Sequence, residues 1–258
     1  MSDRRLTLVV PARDEEARLG ALLERLADAH AVVSACGFEL SEVIVVDDSS
    51  TDRTAELVRA HESRVAGLRL VAARGGAGKG AAVRTGMLAA TTPWALLTDV
   101  DLATPLEDLD RLAAAAARGA DVALGSRGLR DSEIAVHQPF YRERAGKAFN
   151  LLVRLLTGLP YADTQCGFKL YRLAAVRTVF ERQRTNGFAF DVENLLEARR
   201  LGLRVEEVPV RWANDAHTKV RFVRASAAMA LDLVRVAIRF RRLPRRPAQR
   251  ELARGFRS

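Results

Sequence analysis

The nine residues EVIVVDDSS, Glu42 to Ser50, decide how this chain folds. After Glu42 the run is wholly apolar and β-branched, then it stops abruptly in two aspartates and two serines. A short apolar run of this kind, without polar alternation, reads as a strand buried on both faces. Such a strand needs helices above and below it, and the flanking sequence supplies them. Upstream, Leu6–Val10 reads as another buried strand, and Glu15–Val33 as a helix with Asp14 as its cap. Downstream, Asp52 caps a helix carrying Ala55, Leu57 and Val58. Strands at Leu68–Ala72, Trp94–Thr98 and Asp121–Leu124 then alternate with helices at Gly80–Ala90 and Leu106–Arg118. Strands alternating with helices, joined by right-handed crossovers, give an α/β fold with a doubly wound, mostly parallel sheet.

Ligands bind such sheets at the carboxyl ends of the strands. The polar clusters fall there: Pro11–Glu16, Asp47–Ser49, Arg74–Lys79, Asp99 with Asp101, and Gly125–Arg127. Five strand ends converging on one edge favour a nucleotide or phosphate site. The second half is less regular. It reads as a helix at Arg142–Leu156, a loop at Asp163–Gly167 and a strand at Phe168–Tyr171. Helices at Ala174–Gln183 and Val192–Leu201, a strand at Val205–Val210 and a helix at Phe222–Phe240 follow.

Composition narrows the class. With 258 residues, 48% hydrophobic and 28% charged, the chain is neither disordered nor fibrous. Two cysteines, Cys36 and Cys166, cannot build a disulfide framework or a four-thiolate zinc site, and four scattered histidines show no metal spacing. The N-terminal apolar run is too short for a signal peptide or a membrane span. Of the net charge of +9, +7 lies between Arg239 and Ser258, so residues 1–238 carry only +2. A nearly neutral body with no pattern of stacking aromatics argues against nucleic acid as a partner. An arginine tail on a neutral body suits an anionic surface.

Three constellations carry chemistry. GGAGKG at Gly75–Gly80 is not a phosphate-binding P-loop, because Ala73 and Gly80 stand where that loop needs glycine and Ser or Thr. It is either a flexible turn or a place where Lys79 meets an anion at a helix N-terminus. Asp99-Val-Asp101 puts two carboxylates on one side of a strand end. There they form a solvated loop or hold a divalent cation, Mg²⁺ or Mn²⁺. Asp47-Asp48 makes an Asx turn or accepts hydrogen bonds from a base or ribose.

In order along the chain stand VVPARDEE (9–16), VIVVDDSSTDRT (43–54), GKGAAVRTGM (78–87), LLTDVDLATP (96–105), GSR (125–127), DTQCGFKLYR (163–172) and FAFDVENL (188–195). Over residues 6–240 this resembles a GT-A glycosyltransferase of the inverting family 2. The closest likeness is to the dolichyl-phosphate β-glucosyltransferase and polyprenyl-phosphate mannosyltransferase group. DTQCGFKLYR with FDVE is the most specific part and points to the glucosyltransferase branch. The resemblance implies a single GT-A domain over 1–215; composition and charge add an amphipathic and membrane-interfacial helix over 216–240 and a basic disordered tail over 241–258. The resemblance also implies transfer of a sugar from a nucleotide diphosphate sugar, UDP-glucose first, to a polyprenyl phosphate. GDP-mannose as donor and a non-lipid acceptor are the alternatives within the class, and a nucleotide-sugar sensor lies outside it.

By the same resemblance, Pro11, Ala12, Arg13, Glu15, Asp47 and Asp48 line the nucleoside pocket. Lys79, Asp99 and Arg127 complete the donor site, and Asp99 and Asp101 are the metal ligands. Arg13 and Asp14 replace an aromatic residue and an asparagine of the family pattern. Ala103 stands where the mannosyltransferases carry glutamine, which leaves water and phosphate to complete the metal's shell. Asp163, then Asp191, is expected at the reacting centre. Arg142, Arg144, Gln165, Lys219 and Arg221 are expected at the acceptor phosphate. The final helix is too interrupted by charge to span a bilayer, so it is expected to lie in the interface beside anionic lipid. That places the protein in the cytoplasm, peripheral at the inner face of the plasma membrane.

Overall fold

The computed structural model describes residues 3–136, 140–213 and 222–242. Lys219, Arg221 and the tail beyond Arg242 lie outside these residues. A seven-stranded sheet forms the middle of the molecule, in the order β3-β2-β1-β4-β7-β5-β8. β1 (Arg5–Ala12) lies between β2 (Glu39–Asp47) and β4 (Trp94–Leu97), parallel to both, and β3 (Leu68–Ala72) extends the sheet beyond β2. The alternation along β1 and β2 shows why both are apolar throughout. Leu6, Leu8, Val10, Val43 and Val45 pack into one layer, and Val9, Ile44 and Val46 into the other. α1 (Glu16–Ala35) and α4 (Leu109–Ala117) cover the first face. α3 (Lys79–Ala89) and α6 (Leu173–Arg182) cover the second.

One strand departs from the parallel expectation. β7 (Lys169–Arg172) inserts between β4 and β5 (Val122–Ser126) and runs antiparallel to both. Because it is reversed, its first residue pairs with the ends of its neighbours: Lys169 stands opposite Leu97 and Leu124. The loop before it, 163–168, is thereby delivered to the carboxyl edge. β8 (Val205–Pro209) closes the sheet, parallel to β5. The chain then leaves the sheet in β9 (Arg211–Ala213), which pairs with β6 (Glu133–Val136) as a separate two-stranded ribbon that sequence periodicity did not reveal.

The helix starts differ from the expected caps. Asp14 sits at φ 52° and does not cap α1. The N–H groups of Asp14, Glu15 and Glu16 donate instead to Ser50 Oγ, Thr54 Oγ1 and Asp52 Oδ2. Asp52 also accepts from the Thr54 N–H at the start of α2 (Thr54–His61), so one carboxylate serves two helices. These bonds tie the loop after β1 to the loop after β2. Among the described residues three non-glycine residues hold left-handed backbone angles, Asp14, Ser49 and Leu102, and each follows a strand at the same edge. Such angles persist where surrounding contacts over-determine them, as they do at binding sites.

A third layer lies outside the sheet and its helices. α7 (Phe190–Arg200) is buried along most of its length. α5 (Phe140–Thr157) and α8 (Phe222–Arg242) share an apolar cluster with it, through Phe149 and Val153 on α5 and Leu233 and Val236 on α8. No helix among the described residues is long and apolar enough to cross a membrane.

Candidate active site

A cleft of about 440 Å³ opens at the carboxyl edge, between the loops after β1, β2 and β4 and the start of α3. Pro11, Ala12, Arg13, Glu15, Asp48 and Lys79 all line it, as do Asp99 and Asp101. Eight of the residues expected at the donor and metal, from four separate segments, therefore line one cleft. Asp48 is buried, and both its oxygens accept the Gly78 N–H, at 2.8 and 2.9 Å. Arg13 Nη1 reaches Asp48 Oδ2 at 3.4 Å. Asp47 does not line the cleft; its Oδ1 accepts the N–H of Ser50, three residues on, at 3.2 Å, which ties this loop together.

The floor of the cleft is charged. Lys79 Nζ lies 2.7 Å from Asp99 Oδ1. Burial works to lower the Lys79 ammonium, but Asp99, with Asp191 and Asp101 behind it, holds it above its ordinary value. Burial, reinforced by the neighbouring Asp99 charge, pushes the Asp101 carboxyl up; the Ala103 N–H, Arg18 and Lys79 pull the other way. Arg18 Nη1 stands 3.9 Å from Asp101 Oδ2 while its Nη2 donates to Glu15 at 2.5 Å. Burial is thus the main reason the Asp101 carboxyl is raised, a state that a divalent cation would relieve.

Close backbone approaches explain two glycines. A Cβ on Gly167 would stand 2.1 Å from Asp99 Oδ2, so the loop before β7 presses directly on that carboxylate. Gly80 lets α3 begin against the 185–187 segment, where the Gly80 N–H donates to Asn186 O at 2.7 Å.

A second cavity, about 320 Å³, lies between α5 and the β6–β9 ribbon. Arg127, Asp163 and Trp212 line one side, and Lys147, Asn150 and Arg154 the other. Asp163 is buried and grips Arg127: its Oδ2 accepts Nε at 2.6 Å and the Arg127 N–H at 3.2 Å, and its Oδ1 accepts Nη2 at 3.1 Å. The same Oδ1 accepts the Gln165 N–H at 3.0 Å. Burial would raise this carboxyl, but the Arg127 guanidinium overrides it and holds the group below the usual range. Arg127, expected at the donor, therefore faces the second cavity, with Trp212 5.4 Å from its guanidinium carbon.

The remaining expected residues are dispersed. Asp191 is buried in the first turn of α7 and paired with buried Lys169; burial raises its carboxyl, and Lys169 opposes. It lines neither large cavity. Gln165 turns to α8, its Nε2 2.9 Å from Met229 Sδ. Arg144 lies over the Phe140 ring on the outside of α5, and Arg142 occupies the third position of that helix. Cys166 is buried, and burial pushes its thiol up to about 11, so it serves as packing. The sequence reading missed Arg18 and Phe188. Arg18 looked like one more polar residue in an amphipathic helix. Phe188, inside the quoted FAFD, is the one aromatic ring among the described residues lining the first cleft.

Comparison with known proteins agrees with this fold. Residues 7–180 match the family described as glycosyl transferase family 2. The dolichyl-phosphate beta-glucosyltransferase of Dictyostelium discoideum is 32% identical over 243 residues, covering 91% of this chain and 74% of the relative. The enzyme of the same name from Drosophila melanogaster is 34% identical, covering 91% and 75%. Among solved structures, glucosyl-3-phosphoglycerate synthase from Mycobacterium tuberculosis, in complex with Mn²⁺, UDP-glucose and phosphoglyceric acid, superposes with a TM-score of 0.68. It covers 93% of this chain and 81% of its own, at 18% identity, a likeness of fold.

Proposed function

The chain belongs to glycosyl transferase family 2 and has the GT-A fold, and from that premise we propose that it moves glucose from UDP-glucose onto a polyprenyl phosphate of the dolichyl type, with inversion. The observation that carries this reading is the conjunction of the carboxylate-floored cleft with relatives of that named activity at 30% identity or more over nine-tenths of the chain.

The donor cleft suits a nucleoside diphosphate sugar. Asp48 and Arg13 sit at its inner wall to meet the nucleoside, and Lys79, at the first turn of α3, offers a cation and a helix N-terminus to the diphosphate. Asp101, a buried carboxyl beside the Asp99 charge, and Asp99 itself fit Mg²⁺ or Mn²⁺. Among the described residues no third His, Cys, Asp or Glu joins them, so donor phosphate and water fill the remaining positions. Such a cation supplies Lewis-acid stabilisation of the departing diphosphate.

The acceptor chemistry relaxes the need for a general base. A phosphate monoester is largely ionised at neutral pH and attacks as it stands. Asp163, held ionised by Arg127, then acts by positioning that arginine at the wall of the second cavity. Asp191 and Lys169 hold the floor behind Lys79. The final helix and the arginine tail bring the protein peripherally to an anionic membrane, on its cytoplasmic face.

Calorimetric titration with UDP tests the donor assignment. Binding should tighten at least tenfold when Mn²⁺ is added, and GDP should bind more weakly; equal binding of the two nucleotides would remove UDP-glucose as the donor.

A further inference from the structure

Glu193 lies buried in the first turn of α7 and lines neither large cavity. A carboxylate buried this deeply must be paired and hydrogen-bonded. Glu193 is both. Its Oε1 accepts the Arg184 N–H at 2.8 Å, and its Oε2 accepts the Thr185 N–H at 2.7 Å. The Arg239 guanidinium of α8, 27% exposed, completes an ion pair with Oε1. One side chain thus ties together α7, the 183–187 segment that precedes it, and α8. α8 meets the same segment a second time: a Cβ on Gly187 would stand 3.1 Å from Asp232 Oδ2.

The 183–187 segment is in turn the platform of the 75–80 loop. Asn186 O accepts the Gly80 and Ala81 N–H groups, at 2.7 and 3.3 Å. Asn186 Nδ2 donates to Gly75 O at 2.9 Å, and Gln183 Nε2 donates to Gly80 O at 2.8 Å. Gly78, at φ 125°, passes so close that a Cβ would stand 2.5 Å from Asn186 O. Four of the six residues 75–80 are glycine, so the loop has little conformational preference of its own. Its shape is set by what it rests on. From this loop the Gly78 N–H reaches Asp48 and the Lys79 ammonium reaches Asp99, both in the first cleft. Phe188, just beyond the platform, lines the same cleft.

We propose that Glu193 and Arg239 are positioning residues for the donor: their ion pair holds the 183–187 segment against α8, and that segment sets the 75–80 loop and Lys79 for a nucleoside diphosphate. Donor affinity then depends on the seating of α8, although none of its described residues lines the cleft. This dependence rests on the reading of the cleft as a nucleotide site; the anchoring of the loop does not. Breaking the pair from either side should loosen the loop. Arg239→Gln leaves a buried carboxylate without its cation. Glu193→Gln keeps the size but turns an amide –NH₂, which cannot accept, toward one of the two N–H groups.

Two measurements on the full chain test this. Hydrogen exchange, without nucleotide or metal, reads the loop. Amides of residues 75–81 and 184–186 should exchange at least tenfold faster in Glu193→Gln and in Arg239→Gln, with those of β1 unchanged. Calorimetric titration with UDP and Mn²⁺ reads the consequence. Each variant should bind UDP about fivefold more weakly, and Arg239→Lys should regain part of the loss. The double variant should bind no more weakly than either single one, because both remove the same contact. Val33→Ala, in the core at the far end of α1, should lower the melting temperature with UDP affinity retained, which separates positioning from general loss of stability. Arg239→Gln, at a partly exposed position, carries the test if Glu193→Gln does not fold. Wild-type exchange at 75–81 would overturn the anchoring. Faster exchange with unchanged UDP affinity, or fully additive losses in the double variant, would overturn the positioning role. A wild-type chain that binds no UDP would overturn the donor half together with the nucleotide reading, while exchange still decides the anchoring.

Discussion

The Lys79 ammonium sits 2.7 Å from Asp99 Oδ1, whereas the Arg18 guanidinium stands 3.9 Å from Asp101 Oδ2, so among the described residues the chain sets its own cation closer to one of the two cleft carboxylates than to the other. The two aspartates are thus unequal, although their motif reads as symmetric. Lys79→Gln leaves both without their nearest ammonium in the presence of an incoming diphosphate. It should lower kcat/KM for the nucleotide sugar at least tenfold, about 1.4 kcal/mol of lost stabilisation, chiefly through KM. Lys79→Arg should recover part of it. Steady-state kinetics over a donor series checks this, and an unchanged KM would assign Lys79 to structure alone.

Asp163 and Arg127 make a prediction about acid. Asp163→Asn breaks a pair whose carboxylate is buried and whose guanidinium is 30% exposed, so the loss should be about 2–4 kcal/mol, below that for a fully buried pair. The folded carboxyl sits below its unfolded value, so its stabilisation is present above about pH 4 and fades as pH falls through the lower folded value. The melting temperatures of wild type and Asp163→Asn should therefore converge below about pH 4. Thermal melts from pH 7 to 3 read this directly; a gap constant with pH would mean that the carboxylate charge is not what stabilises.

Gly167→Ala should damage the site more than the fold. The added Cβ would have to displace the Asp99 carboxylate, and with it the contact to Lys79. Turnover should fall at least tenfold while the melting temperature moves by only about 2–4 °C. A large thermal loss with normal turnover in the surviving protein would show that the backbone, not Asp99, yields.

Gly86 makes the opposite case. Its Cβ would lie 2.4 Å from Val9 Cγ1 and 2.9 Å from Val46 Cγ2, at a close approach of α3 to the sheet. Alanine gains about 1 kcal/mol of helix propensity, but overpacking a closed core costs about 1–3 kcal/mol. Both valines are fully buried and stand on central strands, so the clash should win. Gly86→Ala should lower stability in denaturant melts by up to about 2 kcal/mol with donor affinity retained. A stabilised variant would show that α3 can lift from the sheet.

Much of this arrangement was legible in residue order because it is local. The apolar run 43–46, its sharp polar end and the loops after three parallel strands are determined within short windows, and the carboxylate-floored cleft is assembled from them. What escaped depends on pairing over distance. No periodicity announces that β7 runs backward between β4 and β5, yet that reversal carries the 163–168 loop to the site. Asp52 reads as the cap of the helix that follows it, and only the fold shows it serving α1 as well. Arg127 follows a strand and so looks like a donor contact. Its buried partner, Asp163, turns it to a different cavity. Arg18 carried no signal at all, since a basic residue on a helix surface is ordinary until Asp101 is seen beside it.

The most direct test of the account is product formation. Purified protein is incubated with a short polyprenyl phosphate and Mn²⁺, with UDP-glucose and GDP-mannose offered separately, and the lipid fraction is read by mass spectrometry. The account predicts a hexosyl phosphate lipid from UDP-glucose, lost in chelator and in Asp101→Asn. Binding or hydrolysis of UDP-glucose with the lipid phosphate left unmodified would contradict it, by moving the acceptor away from lipid.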